Sequence, residues 1–287
     1  ALAEAVRTCE EVTRRRARNF HYGLRLTPED RRWAMYAVYA WMRQADDLAD
    51  EAGPDRAERE RRLAAFRADT DRAFAGEPDP AQPCMIALAE AVRRFELKPD
   101  EFHDMLTGQT GDLEQARFET WEELREFCYR VAGTVGLVCI RVWGFHDPEA
   151  PRLAVDRGIA FQLTNVLRDL REDLDAGRCY LPLREYAAIE LSPEALRTWE
   201  PADRCAEFLH AQCERARAHY RRSEPLDRMI DPACLPTLWA MTEIYRGILD
   251  RIEANQRIVV SGRARLSSLR KAWIAWRATR LRPEVAR

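Results

Sequence analysis

At 287 residues the chain is long enough to bury a sizeable core, in one large domain or two modest ones. Its 46 Lys and Arg against 48 Asp and Glu leave a net charge of -2, so no global basic field points to nucleic acid. The eight cysteines show no CxxC or zinc spacing and read as reduced, buried thiols.

No signal peptide is visible, and no apolar run reaches the ~18 to 20 residues a membrane span needs. The nearest, VAGTVGLVCIRVWGF, is interrupted by Arg141. A cytoplasmic protein, at most peripheral at the inner face of the membrane, is expected, as a monomer or weak homodimer.

In chain order, residues 1–19 read as a helix, followed by a break at HYGLRLTPED. There Thr27 is expected as N-cap and Pro28 as the first helical residue of a helix over 29–52. That helix carries Val38, Met42, Asp46 and Asp50 at four-residue steps, so its acidic pair continues an apolar stripe, and Gly53-Pro54 ends it. Helices over 56–74 and 82–96 flank the connector GEPDPAQP, and another covers 100–107. Residues 121–145 become almost wholly apolar and are expected deep in the fold. Ala132, Gly133 and Gly136 leave room there for a close neighbour or a ligand.

The helix over 149–174 holds Gln162, Asn165, Asp169 and Asp173 on one face, with Gly177 past its end. Further helices follow at 192–198, 201–223, 233–257 and 265–281. No stretch alternates like a strand and no internal repeat occurs. The fold class is all-α, one domain over 1–287, a helical bundle around a central cavity.

One DxxxD alone is as well explained by solvent-exposed pairing with arginine, such as Arg43 with Asp46. Two such pairs on apolar stripes ask for bound cations, because uncompensated buried carboxylates would repel and protonate. Oxygen ligands without Cys or clustered His favour Mg²⁺, which keeps waters and takes phosphate oxygens. Arg43, Arg168 and Arg171 lie within a turn of the acids and suit a diphosphate. Helix 131–145 with Phe20, Leu24, Met35 and Phe161 would line an apolar tunnel, so a prenyl diphosphate fits the whole. Neither GxGxxG nor GxxxxGK[ST] is present, which leaves no nucleotide motif and none for NADPH.

These residues carry a family resemblance. NFHYGLRLTPEDRRWAMYAVYAWMRQADDLADE, CYRVAGTVGLVCIRVWG and GIAFQLTNVLRDLREDLDAGRCYLP resemble signatures of the squalene/phytoene synthases, head-to-head prenyl transferases. The likeness spans about 15 to 270. It implies three Mg²⁺ with diphosphate, held by Asp46, Asp50, Asp169 and Asp173 with Asn165 nearby. It places Arg43, Arg168 and Tyr245, in EIYRGILDRI, at diphosphate-contacting positions, and Gln162 near the reacting carbons. Asn19, Phe20, Leu24, Asp47, Phe127, Gly133, Gly136 and Arg263 complete the implied substrate-binding set.

Two prenyl diphosphates would join to a cyclopropylcarbinyl diphosphate, which then ionises again and rearranges. The bulk of Phe20 and Leu24 leans the substrate towards C15, giving presqualene diphosphate and onward C30 products. The alternative is phytoene from two C20 units, which YAWMRQADDLAD also resembles. NADPH use is left open.

One position departs from the family. Phe127 stands where it usually has Tyr, and Tyr129 is about 200° away around a helix. The first half-reaction is therefore expected to persist more fully than the second.

Smaller signals weigh less. Glu207-xx-His210 has the spacing of a di-iron bundle, but that site needs two such motifs. His103, His146, His210 and His219 read as structural or surface residues. The basic tail 270–287, with Trp273 and Trp276, reads first as a capping helix and otherwise as a contact with anionic membrane.

Overall fold

A computed structural model describes residues 1–16, 23–50, 56–112 and 117–281, with the backbone alone for Asp50, Arg56, Thr110, Gly111 and Asp112. The fold is all-α, and no strand forms among the described residues, which pair in strand fashion only at the isolated bridges Arg117–Cys179 and Phe145–Ile230. Two hydrophobic cores are stacked along the chain, and Phe161 packs against both.

The amino-terminal core is built by α1 (Leu2–Arg16), α2 (Glu29–Asp50), α3 (Arg56–Phe74), α4 (Pro83–Phe95) and α5 (Pro99–Asp112), and completed by later residues such as Val138, Trp143 and Leu238. Helix α2 anchors it through Trp41, which is fully buried, donates to Thr70 Oγ1 at 2.9 Å and meets the Phe102 ring edge-on at 4.8 Å. Thr27 is not the cap of α2. Its hydroxyl is buried against Thr237 Oγ1 at 3.1 Å, and the Pro28 carbonyl accepts the first helical bonds from Arg31 and Arg32. The expected stop at Gly53-Pro54 lies outside the described residues.

The expected helix over 121–145 is interrupted. A capping box at Thr120 and Glu123 starts α6 (Trp121–Cys128), a π turn occupies Tyr129–Gly133, and α7 (Thr134–Trp143) continues it. Glycines on both neighbouring helices admit the widened turn. A Cβ on Gly108 would lie 2.8 Å from the Arg130 side chain, and one on Gly158 would lie 2.3 Å from the Ala132 carbonyl oxygen. Helix α5 runs on through Gly108 to Asp112, past the expected end at 107. Arg141, within the apolar stretch, is satisfied by Glu101, which accepts from its Nε at 2.8 Å and 3.1 Å.

Helix α8 (Ala150–Asp175) is the central element, ending before Gly177 at φ +80°. It packs against α6, the π turn, α7, α11 (Ala202–Arg222) and α12 (Leu235–Ala254). Short helices α9 (Leu183–Ala188), α10 (Pro193–Thr198) and α13 (Ile258–Ser261), and a 3-10 turn at Glu224–Arg228, fill the carboxy-terminal half. α14 (Ser268–Ala278) lies on α12. All eight cysteines are buried and unbridged, as their spacing implies. No helix among the described residues is long and apolar enough to cross a membrane.

Candidate active site

Two cavities open along α8. The outer one, about 320 Å³, is lined by Asp46, Asp169 and Asp173 with Gln109, Phe127 and Tyr180. The inner one, about 190 Å³, is lined by Gly136, Cys139, Trp143, Arg157, Phe161 and Met241 among other, mostly apolar, residues. Met42, Val131, Gln162 and Asn165 line both, so the two spaces share a wall. The expected arrangement of a polar mouth over an apolar chamber is present.

The geometry follows from helical spacing. Gln162, Asn165, Asp169 and Asp173 project from one face of α8, as their three- and four-residue steps require. Opposite them, the stripe of α2 brings Met42 and Asp46 to the same space. The Asp50 side chain, Asn19 and Phe20 lie outside the described residues.

Each described carboxylate at the mouth already faces a cation or amide. Arg168 grips Asp169 with two bonds, Nε to Oδ1 at 2.8 Å and Nη2 to Oδ2 at 2.5 Å. Arg263 adds a contact to Asp169 Oδ1 at 2.6 Å. Arg178 donates to Asp173 at 2.9 Å, and Gln109 Nε2 to Asp46 at 2.5 Å. Burial pushes the Arg168 guanidinium down, but the bonds and charge of Asp169 outweigh it and leave it above its ordinary value. Burial holds the Tyr245 phenol above its usual range, although its hydroxyl meets Arg168 and Asn165 in hydrogen bonds. The Tyr245 ring stacks on Phe161 with centroids 4.6 Å apart.

Among the described residues, no three Asp, Glu, His or Cys side chains form a ready-made metal cage. The donor set nevertheless suits a hard cation. Every acceptor around the mouth is oxygen, and the buried Asn165 Oδ1 and Gln109 Oε1 have no hydrogen-bond partner among the described residues. Carboxylates spread around a rim match ions that share their ligands with a diphosphate.

Several residues of the expected set lie away from the two cavities. Asp47 lines neither cavity. It accepts from Arg43 and, at 2.6 Å, from Arg16, so it orients a guanidinium whose Nε is buried and unpartnered among the described residues. Arg171 points away, exposed and paired with Asp175 at 3.6 Å. Leu24 and Met35 are buried in the amino-terminal core and line neither cavity. Gly136 does line the inner cavity, whereas Gly133 packs against Tyr129 and Val155.

Phe127 faces the outer cavity and stacks on Tyr180 with centroids 5.3 Å apart. Tyr129 is no substitute for a phenol there, since its hydroxyl donates to Asp104 at 3.1 Å. Tyr180 and Gln109 escaped the sequence reading. Tyr180 follows the second acidic motif and is returned to the mouth beside the Arg117–Cys179 bridge, a tertiary contact. Gln109 lay beyond the expected end of its helix.

The four described histidines stand apart from the cavities. His103 pairs with Asp71 at 2.6 Å and His219 with Asp156 at 2.7 Å, while His146 and His210 are exposed. Glu207 is exposed as well, so Glu207-xx-His210 faces outward from α11 and not into a bundle core.

Comparison with known proteins bears on the family and the fold. The model of the squalene/phytoene synthase family matches residues 13–270. The chain is 39% identical to 15-cis-phytoene synthase of Synechococcus elongatus, over 94% of this chain and 91% of that protein. It is 36% identical to phytoene synthase of Mycobacterium tuberculosis, over 96% and 90%. Among solved structures, a dehydrosqualene synthase superposes with a TM-score of 0.87 at 26% identity, covering 97% of this chain and 96% of that one. Squalene synthase from Alicyclobacillus acidocaldarius superposes at 0.82 with 27% identity, covering 88% and 94%.

The protein is thus an all-α enzyme of the prenyl-transferase class. It belongs to the squalene/phytoene synthase family.

Proposed function

We propose that the chain joins two C20 prenyl diphosphates head to head and carries the product on to phytoene. The observation that carries this choice is the set of relatives named phytoene synthase, 34–39% identical over 94% or more of the chain. The structural neighbours named squalene or dehydrosqualene synthase are 26–27% identical. The lean towards C15 rested on Phe20 and Leu24; Leu24 lines neither cavity and Phe20 is outside the described residues, so that lean gives way.

In this reading Asp46, Asp169 and Asp173, with Asp50 as the family resemblance implies, would hold Mg²⁺, with Asn165 Oδ1 as a further oxygen. Bound Mg²⁺ would neutralise the charge developing on the diphosphate as it leaves. Arg43, Arg168 and Arg263 turn from their carboxylate partners to diphosphate oxygens, and Tyr245 steadies Arg168. Phe161, on the wall of the inner cavity with its ring stacked on Tyr245, offers a π face that stabilises an allyl cation. The chamber walls exclude water that would otherwise trap that cation.

The double bond of the second molecule attacks, a proton leaves, and the cyclopropylcarbinyl diphosphate forms. Loss of the second diphosphate, rearrangement and loss of a second proton give phytoene, with no reductant consumed. Mass-spectrometric product analysis with Mg²⁺ and either geranylgeranyl or farnesyl diphosphate is the test. A C40 hydrocarbon from the C20 substrate is expected. A C30 product from the C15 substrate alone would restore the presqualene reading, and turnover of neither would overturn both.

A further inference from the structure

We propose that the outward face of α14 is a docking surface for a bilayer containing anionic lipid. Leu269, Trp273, Trp276 and Arg280 recur at i, i+4, i+7 and i+11, so they form one stripe. Their apolar members are 84%, 39% and 50% exposed. Among the described residues only two other large hydrophobics, Leu2 and Phe145, are comparably exposed, and they lie far apart in sequence. An apolar stripe confined to one helix is a surface feature that needs a partner.

The helix is not short of packing. Ile274 and Ala278, on its opposite face, are buried in the carboxy-terminal core. It is therefore a capping helix by its inner face and presents a second apolar face outward.

Charge selects the occupant. From Ala254 to Leu281 the chain holds Arg257, Arg263, Arg265, Arg270, Lys271, Arg277 and Arg280 and no acid. Three of these guanidiniums sit on the exposed indoles: Arg280 lies 3.6 Å over Trp276, and Arg270 and Arg277 lie 4.5 Å and 4.9 Å over Trp273. Tryptophan with flanking arginine is the composition that settles at the headgroup level, indole inserted and guanidinium on phosphate. Each such cation strengthens attachment to an anionic surface. A second copy of the chain fits poorly, because a twofold contact would bring the same arginines face to face.

The location joins this surface to the site. The segment entering α14 sets Arg263 on Asp169, and Lys271, on the inward side of the helix, lies within electrostatic range of Arg168. The proposal stands apart from the reaction assigned above and does not depend on it.

The full chain is sedimented with vesicles of phosphatidylcholine alone and of phosphatidylcholine mixed with phosphatidylglycerol. Binding to the mixed vesicles, weakened by salt, is expected. It should fall at least about tenfold in Leu269→Ser/Trp273→Ser/Trp276→Ser and in Arg270→Gln/Arg277→Gln/Arg280→Gln. Both variants should keep the wild-type melting temperature and lipid-free sedimentation coefficient. Three results would overturn the proposal: no vesicle binding, equal binding to uncharged vesicles, or variants that bind as wild type. A lipid-free sedimentation coefficient that drops in the serine variant would make the face a self-association surface instead.

Discussion

Asp169 Oδ1 accepts from two guanidiniums at once, Arg168 Nε at 2.8 Å and Arg263 at 2.6 Å. A carboxylate so clasped is neutralised twice over, and the surplus positive charge is available to an anion arriving at the mouth. Replacing Arg263 with Gln leaves Asp169 held by Arg168 but removes one diphosphate contact. The expected result is a KM for prenyl diphosphate raised about tenfold with kcat much less affected. Asp169→Ala should instead lower kcat/KM at least about a hundredfold. Steady-state kinetics of diphosphate release separates the two, and equal effects on kcat would contradict the assignment.

Phe127 and Tyr180 share a stack, and Tyr180 supplies the phenol on the described wall of the outer cavity. Tyr180→Phe is expected to lower the yield of the final hydrocarbon relative to the cyclopropyl intermediate by about tenfold or more. Phe127→Tyr, placed beside it, should recover part of that loss in the double variant. The ratio of intermediate to hydrocarbon, followed by mass spectrometry, is the measurement. An unchanged ratio in both single variants would remove the phenol from the second half-reaction.

Arg157 is 3% exposed at the wall of the inner cavity, bound to Ser223 and Thr242 and paired with Asp227 at 3.0 Å. Arg157→Met would strand Asp227 and cost about 3–5 kcal/mol. Adding Asp227→Asn should return a good part of it. Urea unfolding of the single and double variants checks this, and additive losses would show that the two residues are not coupled.

The thiols set an alkaline limit. Burial pushes Cys139 and Cys213 up to about 12 and Cys179 and Cys234 up to about 11. Below about pH 8.5 these thiols are protonated in both folded and unfolded chains, so they add no pH dependence. Above it the unfolded chain loses protons that the folded one keeps, and stability falls as pH rises towards 11 and 12. The melting temperature should be flat from pH 7 to 8 and decline from about pH 9. A Cys139→Ala/Cys213→Ala variant with an equally steep decline would assign the effect to other groups.

Repetition at helical spacing made most of the fold readable in advance. The bounds of α8 fall within a residue of those expected, because polar residues at one face and a glycine past the end fix both its phase and its stop. The acid-bearing faces of α2 and α8 were readable for the same reason. What escaped depends on contacts distant in sequence. Thr27 looked like a cap until Thr237 claimed its hydroxyl. Leu24 looked like a tunnel residue, yet hydrophobicity does not distinguish a core wall from a cavity wall. Asp47 lies beside Asp46, and only the packed structure turns one to the cavity and the other to Arg16 and Arg43.

The π turn at Tyr129–Gly133 carries one residue more than an α-helical path would use. One residue is about 100° of helical phase. After the turn, Gly136, Cys139 and Trp143 face the inner cavity because that surplus residue sets their phase. Deleting a single residue here would therefore leave a good helix with the wrong side inward. The wall of the chamber is written in a reading frame of its own, set at this turn, and it would be lost by a frameshift of one position.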